Sequence, residues 1–445
     1  MKQVIKKIIF YDKLYPIIKS SFFYQYWKKG NALIAQAINN NPAKDFFIIG
    51  VTGTNGKTTT VNLLHKMLNE QLAKTISIST ESIRIGHQVF HNDKKMTSLD
   101  VFDLQSTLSQ AKAQGCKIAV LEASSQGIDQ NRFEGIRFDY GILTNITRDH
   151  LDYHNTMEEY TRSKQQLFKA ILKNGKSNKY GSFPMDDRAG KDWYENMAFD
   201  KRISYSVTMN STLKANNIRP SLTGTDFEIS YLGKIFEVHS PLLGEHNVYN
   251  FLAALSVGIN IGLDIEKCIK SLETMPTISG RLEKISHKEV DYFVDFAHTP
   301  DGLEKTLSYL SEMKMSSTTP GKNRKLITVF GAPGNRDKDK RPEMGNIAWK
   351  YSDVIIATDD DADTENRFKI LEGLTSQITP ENNPEKEFVV IPERKFAIKF
   401  AVELAQAGDI VIFAGKGHET VQITNEGKRP WSDKKVVEYY LSKKK

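Results

Sequence analysis

The chain has 445 residues, of which 39% are hydrophobic and 26% charged, with a formal net charge of +7. That length suits about three domains, and that composition excludes a disordered chain. No apolar run approaches the about 20 residues that cross a bilayer. The two cysteines, Cys116 and Cys268, make neither a metal pattern nor a disulfide framework. A cytoplasmic protein is expected, with both thiols as small core residues in helices.

The charge is uneven. Residues 1–29 hold Lys2, Lys6, Lys7, Lys13, Lys19, Lys28 and Lys29 against Asp12 alone, so the rest of the chain is nearly neutral. That balance argues against a nucleic-acid partner. Residues 1–44 interleave these lysines with Ile5, Ile8, Ile9, Phe10, Leu14, Tyr15, Phe22, Tyr26 and Trp27. The pattern predicts one or two amphipathic helices, broken near Pro16. Such a segment either lies on an anionic membrane, giving peripheral contact through residues 1–29, or packs on protein with its lysines in water.

The apolar run 46–49 predicts a buried strand, and 61–68 has helical spacing. Between them lies Gly50-Val51-Thr52-Gly53-Thr54-Asn55-Gly56-Lys57-Thr58-Thr59-Thr60. A strand, a glycine-rich turn and a helix start make a phosphate cradle of backbone N–H groups and helix dipole. Lys57 can reach the β/γ-phosphates of a nucleotide, and the Thr58 hydroxyl can ligate Mg²⁺. Val51 stands where the general pattern has its first glycine.

From 45 to about 280 strands and helices alternate. Strands are expected at 118–121, ending at Glu122, and at 140–144, ending at Asn145. Helices are expected at 101–114 and 157–172. This predicts an α/β fold, a P-loop central domain with a mostly parallel sheet. Residues 200–240 predict short antiparallel strands ahead of a helix starting near Asn247. A second, Rossmann-like α/β block begins near Arg281, with strands at 290–294, 326–330, 354–357, 388–391 and 410–413. The expected division is 1–44 (basic amphipathic segment), 45–280 (ATP-binding) and 281–445 (C-terminal domain).

Ligands of open α/β sheets gather at strand C-termini. Glu122 there can hold Mg²⁺, or can simply be a helix N-terminal charge. The stretch Thr144-Asn145-Ile146-Thr147-Arg148-Asp149-His150-Leu151-Asp152-Tyr153-His154 is costly to bury without a purpose. His150 can give a neutral imidazole to a metal, with Asp149 orienting it.

At these motifs the chain resembles the Mur ligase family, ATP-dependent amide-forming enzymes of peptidoglycan synthesis. The likeness runs from about residue 46 to the C-terminus. It rests on the phosphate loop, Glu122-Ala123-Ser124-Ser125, Asn145 to Asp152, Gly244-Glu245-His246-Asn247-Val248-Tyr249-Asn250 and Ser279-Gly280-Arg281-Leu282-Glu283. It continues through Asp295-Phe296-Ala297-His298-Thr299-Pro300, Gly331-Ala332-Pro333-Gly334-Asn335-Arg336-Asp337 and Gly415-Lys416-Gly417-His418-Glu419. Within the family it is most similar to the branch that adds the third residue of the stem peptide.

The resemblance implies that Gly53, Thr54, Asn55, Gly56, Lys57, Thr58 and Thr59 hold ATP, with Thr58 and Glu122 on a first Mg²⁺. His150 and Lys164, the latter carbamylated, would serve a second. Asn250 would meet adenine and Asp295 the ribose, with Arg281 and His298 at the domain junction. Thr97, Ser98, Ser124, Gln130 and Arg132 would hold the muramyl-peptide acceptor. Arg336, Gly415 and Glu419 would hold the incoming amino acid. In the implied mechanism a substrate carboxylate attacks the γ-phosphate of ATP, and an amine displaces phosphate from the acyl phosphate.

Two departures bear on function. Only about 45 residues precede the phosphate-loop strand, too few for the relatives' N-terminal uridine-binding domain. Members that add meso-diaminopimelate carry Asp-Asn-Pro-Arg where this chain has Asp360-Asp361-Ala362-Asp363. The arginine that pairs with a second carboxylate is thus replaced by Asp363, which predicts a basic amino acid, lysine or ornithine. Runner-up readings are ligases similar to folylpolyglutamate or cyanophycin synthetases, and a non-catalytic nucleotide-binding scaffold. A monomer is expected.

Overall fold

The computed structural model describes residues 22–92, 94, 96–315, 324–379 and 383–444. Of the basic segment, residues 1–21 lie outside the described residues. From Phe22 a helix runs to Ile38. No helix among the described residues is long and apolar enough to cross a membrane.

Eleven strands build the first sheet: β1 (Phe47–Thr52), β2 (Thr75–Ile78), β3 (Ser82–Ile85), β4 (Gln88–His91), β5 (Ile118–Glu122), β6 (Tyr140–Leu143), β7 (Tyr180–Pro184), β8 (Lys201–Ser206), β9 (Leu213–Ser221), β10 (Gly224–Tyr231) and β11 (Lys234–Ser240). Their order is β11-β10-β9-β8-β7-β6-β1-β5-β2-β3-β4. The run from β9 through β6, β1 and β5 to β2 is parallel. Both edges are antiparallel. The expected antiparallel insertion thus extends the main sheet, and β8 and β9 pair in parallel.

Burial on both faces explains why the central strands read as unbroken apolar runs. In β1, Ile49 and Val51 enter one core with the helices Lys57–Gln71, Glu245–Asn260 and Ile265–Glu273. Ile48 points to the other, with Val101–Ala113, Met157–Lys173 and Arg188–Asn196. Both cysteines are buried. Cys268 is helical as expected, but Cys116 lies in the turn that leads into β5.

Six strands form the second sheet: β12 (Glu283–His287), β13 (Val290–Asp295), β14 (Leu326–Phe330), β15 (Val354–Ala357), β16 (Glu387–Val390) and β17 (Ile410–Ala414). Their order is β12-β13-β17-β14-β15-β16, parallel except for β12. Alternating residues again feed two cores. A separate hairpin follows, β18 (Val421–Thr424) and β19 (Gly427–Pro430).

The chain passes between the sheets at Gly280, whose φ is +64°. A Cβ there would stand 2.0 Å from the His418 backbone nitrogen, so glycine is required twice over, by conformation and by space. The C-terminal ends of β6, β1 and β5 in one sheet and of β13, β17, β14 and β15 in the other carry the loops that line a shared cleft.

Away from that cleft, His65 is buried on the phosphate-loop helix and donates from Nε2 to the Gly86 carbonyl at 2.7 Å. Its Nδ1 is buried without a partner. Burial pushes its pKa from 6.5 down to about 4. Between those values the unfolded chain binds a proton that the folded chain refuses, so stability falls as pH drops through the window. Urea titrations from pH 7 to 4 are expected to show this slope, flattened in His65→Gln.

Candidate active site

The phosphate loop is held open by its neighbours. Thr54 N donates to the Asn145 carbonyl and Asn55 N to Asn145 Oδ1, both at 2.9 Å. Gly56, at φ +82°, starts the helix with Asn250 directly over it; a Cβ would meet Asn250 Oδ1 at 2.1 Å. Lys57 Nζ donates to the carbonyls of Gly53 (3.0 Å) and Thr54 (2.7 Å). Burial lowers its pKa, against the pull of Glu122 and Asp149.

Thr58 Oγ1 donates to Glu122 Oε2 at 3.0 Å, and the Arg281 guanidinium donates to the same hydroxyl at 3.2 Å. A hydroxyl and a carboxylate are hard oxygen ligands, and a cationic group is already seated against the pair, so Mg²⁺ fits their chemistry. Glu122 is fixed by Thr80, through its N–H at 2.8 Å and its hydroxyl at 3.1 Å, and Thr80 meets Thr97 at 3.0 Å.

The five acceptor residues gather at one corner. Ser98 and Ser124 hydroxyls lie 3.0 Å apart, and Ser124 caps the short helix Ser125–Asp129. Arg132 donates to the Ser98 carbonyl (2.6 Å) and to Gln130 Oε1 (2.8 Å).

Lys164 is buried in the helix Met157–Lys173, so the expectation of a functional rather than a solvent-facing lysine agrees with its placement. Its Nζ donates to the Gly53 carbonyl at 2.6 Å and lies 4.3 Å from the Tyr160 ring centroid. Burial first, then Lys57, drive its pKa well down. His150 adopts φ +54° and presents Nε2 at 3.3 Å from Asp149 Oδ2. Burial lowers the imidazole to about 4, so it is neutral at pH 7.

His150 and Asp149 open into a cavity of about 220 Å³ lined from the other sheet by Arg336, Asp360, Asp361, Asp363, Gly415 and Glu419. Every residue predicted to hold the amino acid is here. With Asp149 and Asp337 the lining has six carboxylates, against Arg336 and Lys340. Behind it the fully buried Lys416 pairs with Asp361 (2.7 Å), Asp360 (3.6 Å) and Glu419. These carboxylates hold its pKa above the ordinary value.

Asn250, Arg281, Asp295 and His298 line an adjoining hollow with Asn55, Gly56 and Thr59. Asp295 accepts N–H bonds from Leu282 (2.7 Å) and Ala297 (2.8 Å), leaving each oxygen a lone pair toward a ligand. His298 Nδ1 bonds the Phe296 carbonyl at 2.7 Å, and burial lowers it to about 4. A larger cavity of about 500 Å³ continues past His246, Tyr249, Lys305 and Tyr309. Sequence reasoning missed these four, along with Thr80, Lys340 and Lys416. Their only signal was membership of motifs read for other residues, as with Lys416 between Gly415 and Glu419.

A phosphate loop that faces an amino-acid cavity across a cleft between two α/β sheets is the arrangement of an ATP-dependent ligase. The pattern of the Mur ligase middle domain matches residues 51–258, and that of the Mur ligase glutamate ligase domain matches 280–417. The chain belongs to the Mur ligase family and is an ADP-forming amide ligase of peptidoglycan synthesis. It is 34% identical over 417 residues to UDP-N-acetylmuramoyl-L-alanyl-D-glutamate–2,6-diaminopimelate ligase 1 of Clostridium acetobutylicum, covering 93% of this chain and 82% of the relative. The corresponding Aquifex aeolicus ligase is 36% identical over 401 residues, covering 90% and 78%. A solved structure of a 2,6-diaminopimelate ligase superimposes with a TM-score of 0.61 at 33% identity, over 89% of this chain and 78% of the other. A Mycobacterium tuberculosis folylpolyglutamate synthase shares the fold, with a TM-score of 0.68 at 16% identity, over 87% and 92%.

Proposed function

We propose that the chain adds a basic amino acid, lysine or ornithine, to the terminal carboxylate of a muramyl dipeptide. The observation that carries this is the six-carboxylate lining of the amino-acid cavity, with Asp363 at the position where the resemblance places a selecting arginine. A cationic side chain is favoured there, and a second carboxylate is repelled. The domain division at 44/45 and 280/281 follows the two sheets.

In this reading Lys57 and the loop N–H groups bind the β- and γ-phosphates of ATP. Thr58 and Glu122 would hold one Mg²⁺, and His150 a second together with Lys164. Bound there, Mg²⁺ screens charge between carboxylate and triphosphate and stabilises the developing acyl phosphate. Lys164 is suited to carbamylation because its buried amine is depressed toward the neutral form that attacks CO₂, and the product is an anion. Arg132 and the Ser98–Ser124 pair orient the acceptor carboxylate. Asn250 and Asp295 hold the nucleoside, and Arg336 takes the α-carboxylate of the amino acid. All of these groups belong to one chain, in keeping with a monomer, and the substrates place the enzyme in the cytoplasm.

The test is phosphate release with a muramyl-dipeptide acceptor and each amino acid in turn. Lysine or ornithine is expected to support turnover and meso-diaminopimelate to be poor; equal use of both would overturn the reading. Asp363→Arg is expected to shift the ratio of kcat/KM values toward diaminopimelate by about ten- to a hundredfold, the scale of one charge-assisted hydrogen bond gained.

A further inference from the structure

The helix Phe22–Ile38 is amphipathic in the reverse sense. Toward the body it places Ala32 and Ala35, both 0% exposed, with Asn31 and Gln36 half-buried. Outward it presents Leu33 (65% exposed), Ile34 (53%) and Ile38 (70%). Positions 33, 34 and 38 share one side of a helix, so these aliphatics form a continuous stripe. An ordinary surface helix turns its large apolar residues in and its polar ones out.

The inner face rests on the acceptor corner. Lys28 Nζ donates to the Gln130 carbonyl at 2.8 Å. The Gln36 amide packs on Gly135, where a Cβ would stand 1.3 Å from Nε2. Leading into this helix, residues 1–29 carry seven lysines and one acid.

We propose that the outer face of this helix is a docking surface for an anionic lipid bilayer. Leu33, Ile34 and Ile38 enter the boundary between headgroups and acyl chains, and the lysines of residues 1–29 meet the headgroup charge. Aliphatic insertion beside a dense positive charge is the combination that holds a protein on such a surface, since either part alone binds weakly. That charge complementarity favours lipid over a second copy of the chain, whose own lysines would be brought together. Docking would hold the Gln130–Gly135 loop near the lipid, so that the acceptor is taken up at the membrane. This last consequence rests on the acceptor reading above; the docking itself does not.

The test is sedimentation of the full chain with vesicles of phosphatidylcholine plus phosphatidylglycerol, and with vesicles of phosphatidylcholine alone. The chain is expected to pellet with the anionic vesicles only, and less so as salt rises. A triple variant, Leu33→Ser, Ile34→Ser and Ile38→Ser, is expected to lose about tenfold or more of that partitioning. Its melting temperature and vesicle-free phosphate release should be unchanged. Replacing Lys2, Lys6, Lys7 and Lys13 by glutamine should weaken binding and flatten its salt dependence. The proposal is overturned if the chain stays in the supernatant with anionic vesicles, if neutral vesicles bind it equally, or if the triple variant pellets like the parent. It is also overturned if the stripe instead proves to join two copies, seen as a dimer that the triple variant dissolves. Sedimentation needs no turnover, so failure of the ligase reading would leave this result standing, and the reverse.

Discussion

Lys57→Ala is expected to reduce amino-acid-dependent phosphate release by roughly 10²–10³-fold, the scale of removing one preorganised charge stabiliser from a reaction centre. The side chain is tethered only to the carbonyls of its own loop, at Gly53 and Thr54, so the variant should melt close to the parent. Phosphate transfer brings an anionic acid against an anionic triphosphate, and a nearby cation lowers that barrier more than it strengthens ground-state binding. Steady-state kinetics should therefore show the loss mainly in kcat. A variant that keeps more than about a tenth of the activity would mean that Lys57 is only a structural tie.

Arg394→Met is expected to cost about 3–5 kcal/mol of stability, because it leaves Asp433 as an uncompensated buried charge. Both side chains are 0% exposed. Arg394 donates to both Asp433 oxygens, at 2.8 and 2.6 Å, to the Asp359 carbonyl at 3.2 Å and to the Ala414 carbonyl at 3.0 Å. Those two carbonyls stand at the roots of the loops bearing Asp360–Asp363 and Gly415–Glu419. The variant should thus raise KM for the amino acid more than KM for ATP in whatever fraction still folds. Urea unfolding measures the first effect, and initial rates at low temperature the second. A stability change under about 1 kcal/mol would show that the cluster tolerates an unpaired acid.

Much of this was legible in the chain. The strand expected at 118–121 is β5 with Glu122 added, and those at 326–330 and 354–357 are β14 and β15. Such strands are buried on both faces, so composition alone marks them. The strand Leu213–Ser221 was not legible. It contains Asn216, Asn217 and Pro220, all poor strand formers, and is held by pairing with β10 across an irregularity where Asn217 takes φ +50°. The start of the helix at Lys57 was set four residues late, because Thr58, Thr59 and Thr60 carry no apolar periodicity and are helical through the loop they close.

At the site, Asp363 could be weighed as a charge because its neighbours in sequence are its neighbours in the cavity. Lys416 could not, since a lysine that neutralises three carboxylates reads the same as one in water until the fold buries it. The meeting of His150 and Asp149 with Asp361 is likewise a product of tertiary structure alone.

The glycine at 280 has a mechanical meaning. Its backbone is wedged against Gly417 and His418, so the leash between the two halves travels with the C-terminal half. To admit a bulky acceptor and let ADP go, the jaws have to part, and that swing is confined to the few residues between Thr274 and Ser279. Stiffening them with proline should slow product departure and leave the bond-making groups where they are.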